Sequence, residues 1–318
     1  AASAAAFYAL LLAAVYLMHA GPRRDGPPPG LRWARRIAWG LVVAWCVPGW
    51  WLAGPRRPAD LEADVLAVGH GLAVVIATPE GRTFLYDCGR MDDPGVGRRV
   101  IAPALWARGL SRLDAVYLSH ADNDHYNGLP EVLDRFAVGE VVVPEGFVGR
   151  DNPAAVELMR EVGARGVPVR EVVAPASRPA GSTHIEVLHP PAGWDSDSDN
   201  ARSLVLDVSR HGRRLLLTGD LEQVGLAELL SKPKPDRPID VLLAPHHGAR
   251  AANPPRLYDW ARPRVVVASQ KPPSAGVADA LTPLEARDIV LLRTWRAGAV
   301  SLRWTPAGGV ASGFLDGR

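Results

Sequence analysis

Three short apolar runs, each about the length of a β-strand, end in histidine and aspartate residues. The runs are "DAVYLS" (114–119), "RLLLTG" (214–219) and "DVLLAP" (240–245). The polar residues that follow them are His120, Asp122, Asp124 and His125 after the first run, Asp220 after the second, and His246 and His247 after the third. Neighbouring strands of a rigid sheet can bring the groups at their carboxyl ends to one point. The pattern therefore predicts a sheet with a polar cluster at one edge.

Short β-rich runs separated by Gly and Pro continue along the chain from residue 57. We predict a first set of strands at 63–68, 73–78, 83–87, 114–119 and 140–144, and a second set at 184–189, 203–208, 214–219, 240–245 and 264–269. Helices are predicted near 98–108, 129–135, 153–164, 222–230 and 277–287. Both sets open like hairpins, which favours mixed sheets over fully parallel ones. Two packed sheets with helices on their outer faces fit this order, so the predicted class is α/β.

The first 56 residues have a different composition. Residues 1–20, "AASAAAFYALLLAAVYLMHA", lack charged residues and are long enough to span a bilayer. A second apolar stretch at 37–53 carries four tryptophans, which suit the level of the lipid headgroups. We therefore expect two transmembrane helices in a first domain, 1–56, as the end of a polytopic channel in a longer protein, followed by a second domain at 57–318. A pair of buried core helices is the alternative.

The loop between the two apolar stretches is basic. Residues 21–36 contain Arg23, Arg24, Arg32, Arg35 and Arg36 against a single Asp25, whereas the flank after the second stretch offers Arg56 and Arg57. Cytoplasmic loops carry the excess of Lys and Arg in membrane proteins. The loop is therefore expected in the cytoplasm. The second domain is then expected on the outer side of the cell membrane, in the periplasm or outside the cell.

Composition limits the chemistry of the second domain. The net charge of +2 gives no general argument for binding nucleic acid, so any basic surface must be local. The two cysteines, Cys46 and Cys88, lie too far apart in sequence to suggest a metal motif. Imidazole and carboxylate ligands together suit Zn²⁺, Mn²⁺ or Fe²⁺ better than Ca²⁺. Such an ion lowers the pKa of bound water towards neutrality and supplies hydroxide for hydrolysis.

Three motifs carry a resemblance to a known family. "LSHADNDHYNG" (118–128) resembles the metallo-β-lactamase signature His-x-His-x-Asp-His, with Asp122 in place of the second His. "TGD" (218–220) and "PHHG" (245–248) resemble the later metal-binding motifs of that superfamily, in the same order. The whole region from about 60 to 310 is similar to the C-terminal domain of ComEC-type DNA-internalisation proteins. That resemblance implies a metallo-β-lactamase αββα sandwich, here preceded by two transmembrane helices.

The resemblance also implies roles for the candidate residues. Asp124, His125, Asp220 and either His246 or His247 would hold one divalent metal, Zn or Mn. His120 and Asp122 would hold a second, weaker ion or position the attacking water, which makes His120, Asp122 and Asp124 the candidate catalytic residues. A polar turn satisfied by its own backbone is the alternative for residues 120–125.

Other positions depart from the family pattern. The histidine expected between the two halves has no clear counterpart, and "DNARS" (199–203) occupies its region. His184 and His189 lie upstream and are interpreted as structural. His70 either lines the site or has a structural role in a turn. Asp87 is expected to orient a ligand rather than to bind metal.

The leading functional prediction is a membrane-bound component of DNA uptake whose second domain is a metal-dependent phosphodiesterase, or nuclease, acting on incoming DNA. Its partners would be DNA, the membrane and the upstream channel domain of the same protein. Arg202 and Arg250 adjoin the candidate ligands in sequence and are candidates for gripping a phosphate. The alternatives are a hydrolase of another ester or a lactone, and a module that guides DNA without cutting it.

Overall fold

A computed structural model describes residues 57–148, 152–194, 196–273, 279–306 and 308–315, together with residues 11, 15, 33, 34, 36, 37 and 39–44. The chain divides into two compact units, Ala1–Arg56 and Arg57–Arg318.

Most of the first unit lies outside the described residues, including most of the predicted spans at 1–20 and 37–53. Residues 33, 34, 36, 37 and 39–44 are helical. No helix among the described residues is both long enough and apolar enough to cross a bilayer. The two transmembrane helices, and the assignment of residues 1–56 to a channel, therefore remain predictions.

The described part of the second unit contains seventeen strands. They are β1 (Leu61–Val65), β2 (Val74–Ala77), β3 (Thr83–Tyr86), β4 (Arg112–Leu113), β5 (Ala115–Tyr117), β6 (Ala137–Val138), β7 (Val141–Pro144), β8 (Val169–Val172), β9 (Ala176–Ala180), β10 (Thr183–His189), β11 (Val205–Arg210), β12 (Arg213–Leu217), β13 (Val241–Leu243), β14 (Val265–Ala268), β15 (Val290–Arg293), β16 (Val300–Thr305) and β17 (Gly308–Gly313).

Seven α-helices lie between these strands in the described residues. They are α1 (Ala102–Ala107), α2 (Asn123–Tyr126), α3 (Leu129–Leu133), α4 (Pro153–Ala164), α5 (Gln223–Ser231), α6 (Pro255–Ala261) and α7 (Thr294–Ala297). A π-helical turn, Gly97–Ile101, leads into α1. Short 3₁₀ segments cover Asn200–Arg202, Pro245–Gly248, Arg250–Ala252 and Thr282–Arg287.

Fifteen of these strands form two large sheets of similar design, and β4 and β6 pair with each other in a small parallel sheet. Sheet one has the order β17-β16-β1-β2-β3-β5-β7-β8, and sheet two has the order β15-β14-β13-β12-β11-β10-β9. In sheet one the pairs from β3 to β8 are parallel and the others are antiparallel. In sheet two the pairs from β12 to β15 are parallel and the others are antiparallel. The prediction of two mixed sheets is confirmed.

The alternation of side chains along the strands builds four layers. Ile76 of β2 faces the core between the sheets, together with Leu206 and Leu217 from sheet two. The next residue along β2, Val75, points to the opposite face, where it packs with the helical residue Leu105. The equivalent outer core of sheet two contains residues of α5 and α6. The predicted αββα sandwich is therefore the observed architecture.

Some elements differ from the sequence-based expectation. The helix expected over 277–287 is reduced, in the described residues, to the 3₁₀ segment Thr282–Arg287. Pro283 in its first turn lacks an N–H, and Asp288 with φ 59° ends it. Helix α6 was not predicted, because its seven residues are bounded by prolines and are too few for a clear period.

Candidate metal centre

Four loops meet at the carboxyl ends of strands from both sheets. Strands β3 and β5 are parallel neighbours in sheet one, and β12 and β13 are parallel neighbours in sheet two. Asp87 follows β3, residues 120–125 follow β5, Asp220 follows β12, and residues 246–247 follow β13. The parallel half of each sheet therefore delivers polar residues to one edge, as the sequence pattern suggested.

The loop after β5 is fixed by the segment that follows β3. Asp87 accepts hydrogen bonds through its two carboxylate oxygens from the Ser119 backbone N–H at 2.6 Å and from His125 Nδ1 at 2.8 Å. The Cys88 N–H donates to the His125 carbonyl at 2.8 Å. Asp87 itself has φ 56°, a left-handed conformation that a non-glycine residue adopts rarely. These contacts support the prediction that Asp87 orients a ligand.

The loop after β13 also has an unusual backbone. His246 and His247 have φ values of 49° and 51°, so two consecutive non-glycine residues are left-handed. The Asn253 side-chain amide holds this turn by donating to the Pro245 and Ala249 carbonyls, both at 2.8 Å. A strained backbone conformation of this kind persists only where the surrounding structure holds it in place. Such conformations are frequent at functional sites.

A first ligand group consists of His120, His125 and Asp220, all buried. His125 Nε2 lies 3.2 Å from Asp220 Oδ1, and the rings of His120 and His125 have centroids 4.2 Å apart. A second ligand group contains Asp124 and His247, with 3.5 Å between Asp124 Oδ2 and His247 Nε2. Asp220 Oδ2 is 3.4 Å from the same His247 nitrogen. The two oxygens of Asp220 therefore face different groups.

Hydrogen bonds at Nδ1 leave the Nε2 atoms facing the ligand groups. The Ser269 carbonyl lies 2.9 Å from His247 Nδ1 and can only accept, so Nδ1 carries the proton. Ser119 Oγ lies 2.9 Å from His120 Nδ1, and Asp87 holds His125 in the same way. Metal-binding histidines generally have their other ring nitrogen held like this, which fixes the tautomer and the ring orientation.

Three histidine ring nitrogens without hydrogen bonds indicate whether a metal ion fits among these residues. His120, His125 and His247 each have a buried Nε2 atom without a hydrogen bond. Buried polar atoms are nearly always satisfied, so three such atoms around two carboxylates need an explanation. Two ligands about 2.1 Å from one tetrahedral ion lie about 3.4 Å apart, close to the separations above. The residues therefore fit a divalent ion such as Zn²⁺ or Mn²⁺.

The electrostatics of the cluster point the same way. Burial acts to raise the pKa of Asp124, but the His125 and His247 imidazoles beside it lower that pKa to about 2. Burial acts to lower the pKa of His125, but Asp220 and Asp87 raise it well above its usual range. A positive charge between these carboxylates is therefore electrostatically favourable. A proton on His125 and a metal ion compete for that role.

Asp122 and His246 lie at the margin of the cluster. Asp122 is half exposed, and its Oδ2 is 3.5 Å from His120 Nε2. His246 Nε2 is 3.7 Å from Asp220 Oδ2, while its Nδ1 lies 2.8 Å from Glu222 Oε2. His247 is therefore the histidine of "PHHG" that lies deepest in the cluster. Glu222 stands two residues after Asp220 but was not among the candidates predicted from the sequence.

The two upstream histidines lie elsewhere. His184 is exposed on β10. His189 is buried, and its Nδ1 donates to the Ser203 carbonyl at 3.0 Å. Both fit the structural roles expected for them. Arg202 is engaged with Asp199 in an ion pair at 2.6 Å, so it does not offer a free guanidinium.

A cavity of about 460 Å³ opens beside the second ligand group. The residues that line it include His70, His246, His247, Arg250, Gln270 and Lys271. Arg250 and Lys271 are exposed, and neither forms an ion pair within the described part of the chain. The charged groups of both residues are therefore available to an anionic ligand.

Comparison with known proteins identifies the family of this fold and site. Residues 66–253 match the family model described as the metallo-beta-lactamase superfamily. The chain belongs to the metallo-β-lactamase superfamily. A solved structure, the diiron β-hydroxylase CmlA from Streptomyces venezuelae, superimposes with a TM-score of 0.54 over 78% of this chain and 55% of that one. At 16% identity, that likeness supports the fold alone.

Curated relatives agree with the metallo-β-lactamase assignment and refine it. ComE operon protein 3 of Bacillus subtilis is 29% identical over 68% of this chain and 29% of its own length. Competence protein ComA of Neisseria gonorrhoeae is 32% identical over 77% of this chain and 33% of its own length. The chain thus spans about a third of the length of these relatives. The resemblance to ComEC-type competence proteins is confirmed, and the metallo-β-lactamase domain is of a hydrolase type.

We predict that Gly89→Ala disrupts the metal centre. A Cβ atom at position 89 would lie 2.3 Å from the backbone carbon and oxygen of Asp124, and backbone cannot rotate away as a side chain can. Overpacking of this severity is expected to lower the free energy of unfolding by about 3 kcal/mol and to reduce metal binding.

Gly163→Ala is the matched control. Gly163 lies in α4 with no atom within 4 Å of an added Cβ, so alanine should raise the free energy of unfolding by about 0.5–1 kcal/mol. Denaturant unfolding and metal content of both variants provide the measurement. Equal stability of the two variants would contradict the tight packing of Gly89 against the ligand loop.

Proposed function

We propose that residues 57–318 form a metal-dependent phosphodiesterase that cleaves incoming DNA in a membrane-bound protein of DNA uptake. One observation carries the proposal: ligand-type side chains and two unpaired cations line a single cavity. The lining residues include His246 and His247 as well as Arg250 and Lys271. A phosphodiester bound by the cations would be held next to the metal-binding residues.

The roles of the residues follow from their positions. A divalent metal supplies activated water at neutral pH and stabilises charge on the phosphoryl oxygens. Asp124 and Asp220 would hold the metal, with His120, His125 and His247 completing the ligand groups. Asp122 is half exposed beside His120, so it is placed to orient the attacking water.

The relatives support the link to DNA uptake. One of them is named competence protein ComA, and another is named ComE operon protein 3. We further propose that the protein is membrane-bound, with this domain on the outer side and an upstream channel domain in the same protein. The predicted spans and the basic loop at 21–36 are the sequence features that favour this arrangement.

Two other functions are distinguishable by experiment. A hydrolase of a neutral ester or lactone would have no use for Arg250 and Lys271 at the cavity. A module that guides DNA without cutting would keep the cations but would not need the ligand groups. The strained loop of those groups and their buried nitrogens without hydrogen bonds lower the stability of the fold, so they are not expected without a function. The combination of both features favours the phosphodiesterase.

We predict that Asp124→Asn abolishes DNA cleavage, with a loss of at least about 100-fold, because it removes a charged ligand at nearly constant size. Asp122→Asn should cause a smaller loss, since Asp122 lies at the margin of the cluster. Mn²⁺ should support turnover at least as well as Zn²⁺, because the set is richer in oxygen ligands than the three-histidine pattern of the family.

Asp92→Asn is the matched control for these variants. Asp92 is exposed, lies outside the cluster, and has a positive φ that asparagine tolerates. Cleavage of single- and double-stranded DNA is measured for the three variants, with metal content and melting temperature. A folded Asp124→Asn protein that cleaves at the wild-type rate would exclude the metal-dependent mechanism and favour the guiding module.

Another prediction concerns the two cations that line the cavity, Arg250 and Lys271. Arg250→Ala and Lys271→Ala should each raise KM for DNA about 3- to 10-fold and make binding less dependent on salt, because each removes a contact to phosphate. Arg256→Ala is the control, since Arg256 is also exposed and without an ion pair in the described residues but lines a different cavity. KM values of the Arg250 and Lys271 variants equal to that of Arg256→Ala would contradict the proposed phosphate contact.

A further prediction concerns the side of the membrane on which the domain lies. In a Cys46→Ser background, Val224→Cys places a thiol on α5 at a residue that is 57% exposed, while the remaining Cys88 is fully buried. A thiol reagent that cannot cross membranes should label this cysteine on intact cells if the domain lies on the outer side. Labelling that requires lysis would place the domain in the cytoplasm instead.

A further inference from the structure

His70 stands in a short glycine-flanked loop, "GHG" (69–71), between β1 and β2. Its ring lies next to that of His247, with centroids 4.4 Å apart, and its Nε2 is 3.9 Å from Asp124 Oδ2. We propose that His70 is a metal ligand and completes the second ligand group with Asp124 and His247. This assignment rests on the metal centre of the proposed function and deepens it, but it does not depend on which ester the domain cleaves.

The backbone around His70 is held in place. The His70 carbonyl accepts a hydrogen bond from the Met91 N–H at 2.7 Å, and the Leu72 and Gly89 backbones exchange two more. Gly71 has φ 143°, and a Cβ there would lie 2.4 Å from the Gly89 carbonyl oxygen. The loop thus packs against the backbone that supports Asp124 and His125. Contacts with residues 89–91 therefore hold the backbone of His70 next to the loop that carries Asp124 and His125.

Ser269, which follows β14, couples His70 to His247. Its hydroxyl donates to the Gly71 carbonyl at 2.7 Å, and its own carbonyl accepts from His247 Nδ1 at 2.9 Å. One buried residue of sheet two therefore positions the loop of His70 and the ring of His247 together. Such a link is expected where two imidazoles must present nitrogen atoms to the same ion.

The ligand atoms of His70, Asp124 and His247 all lie within 4.8 Å of one another. Asp220 Oδ2, 3.4 Å from His247 Nε2, adds a fourth donor shared with the first ligand group. Two imidazoles and two carboxylates form a complete tetrahedral set for Zn²⁺ and part of a larger set for Mn²⁺. Without His70, the second group would have a single nitrogen ligand from these residues.

The experiment compares His70→Asp with His70→Asn in the whole chain. The two side chains are nearly isosteric, but only aspartate offers a charged ligand, so a purely structural role of His70 would affect both variants equally. Apo protein is titrated with Co²⁺ and with Mn²⁺, and the number of ions bound, their dissociation constants and the visible spectrum of bound Co²⁺ are recorded. His184→Ala, which removes an exposed histidine from β10, is the control.

We expect His70→Asn to weaken the binding of one ion at least about tenfold and to change the Co²⁺ spectrum, while a second ion stays bound with wild-type affinity. His70→Asp should restore most of the lost affinity, and His184→Ala should match the wild type. Two results would overturn the proposal. One is unchanged metal binding in His70→Asn, and the other is an equal loss in His70→Asn and His70→Asp.

Discussion

Asp124 and Asp220 place two negative charges in a largely buried cluster, and the surrounding structure holds them together against their repulsion. Two like charges about 4 Å apart repel by about 4 kcal/mol at an effective dielectric constant of 20. His125 offsets part of this cost, since the carboxylates of Asp220 and Asp87 raise its pKa despite its burial. A divalent cation offsets more than a single proton can. The cluster is therefore built for a metal, and the backbone that carries it must be rigid.

The two mixed sheets provide that rigidity. Their parallel halves place the ends of β3 and β5 beside those of β12 and β13, where neither sheet could slide without separating the ligands. Tyr86, at the end of β3, donates a buried hydrogen bond of 2.6 Å to the Leu204 carbonyl and thereby links the sheets next to the metal centre. Ser269 forms a second link, between Gly71 and His247. Interior packing and a few directional contacts thus fix one geometry.

The sequence was sufficient to predict most strands, the αββα layers and the convergence of the main ligand candidates, because apolar periodicity and the ends of strands are local features. It did not predict β15–β17, since β16 pairs with β1 across most of the chain and that pairing has no local signal. It also missed Ser269, because its contacts with Gly71 and His247 join residues that are far apart in the sequence. The sequence left both a site role and a turn role open for His70, because only the folded structure shows that its ring lies next to that of His247.

The replacement of histidine by Asp122 changes the charge at the ligand positions. Asp122, Asp124 and Asp220 carry three negative charges, so two divalent ions would leave this set with a single net positive charge. Asp87 and Glu222, which hydrogen-bond to His125 and His246, reduce the attraction for an anion further. Such a centre cannot by itself bind a phosphodiester strongly in competition with salt. For the phosphodiester that we propose as substrate, the affinity would then come from cations outside the ligand set, and Arg250 and Lys271 are the unpaired cations that the described part of this cavity provides.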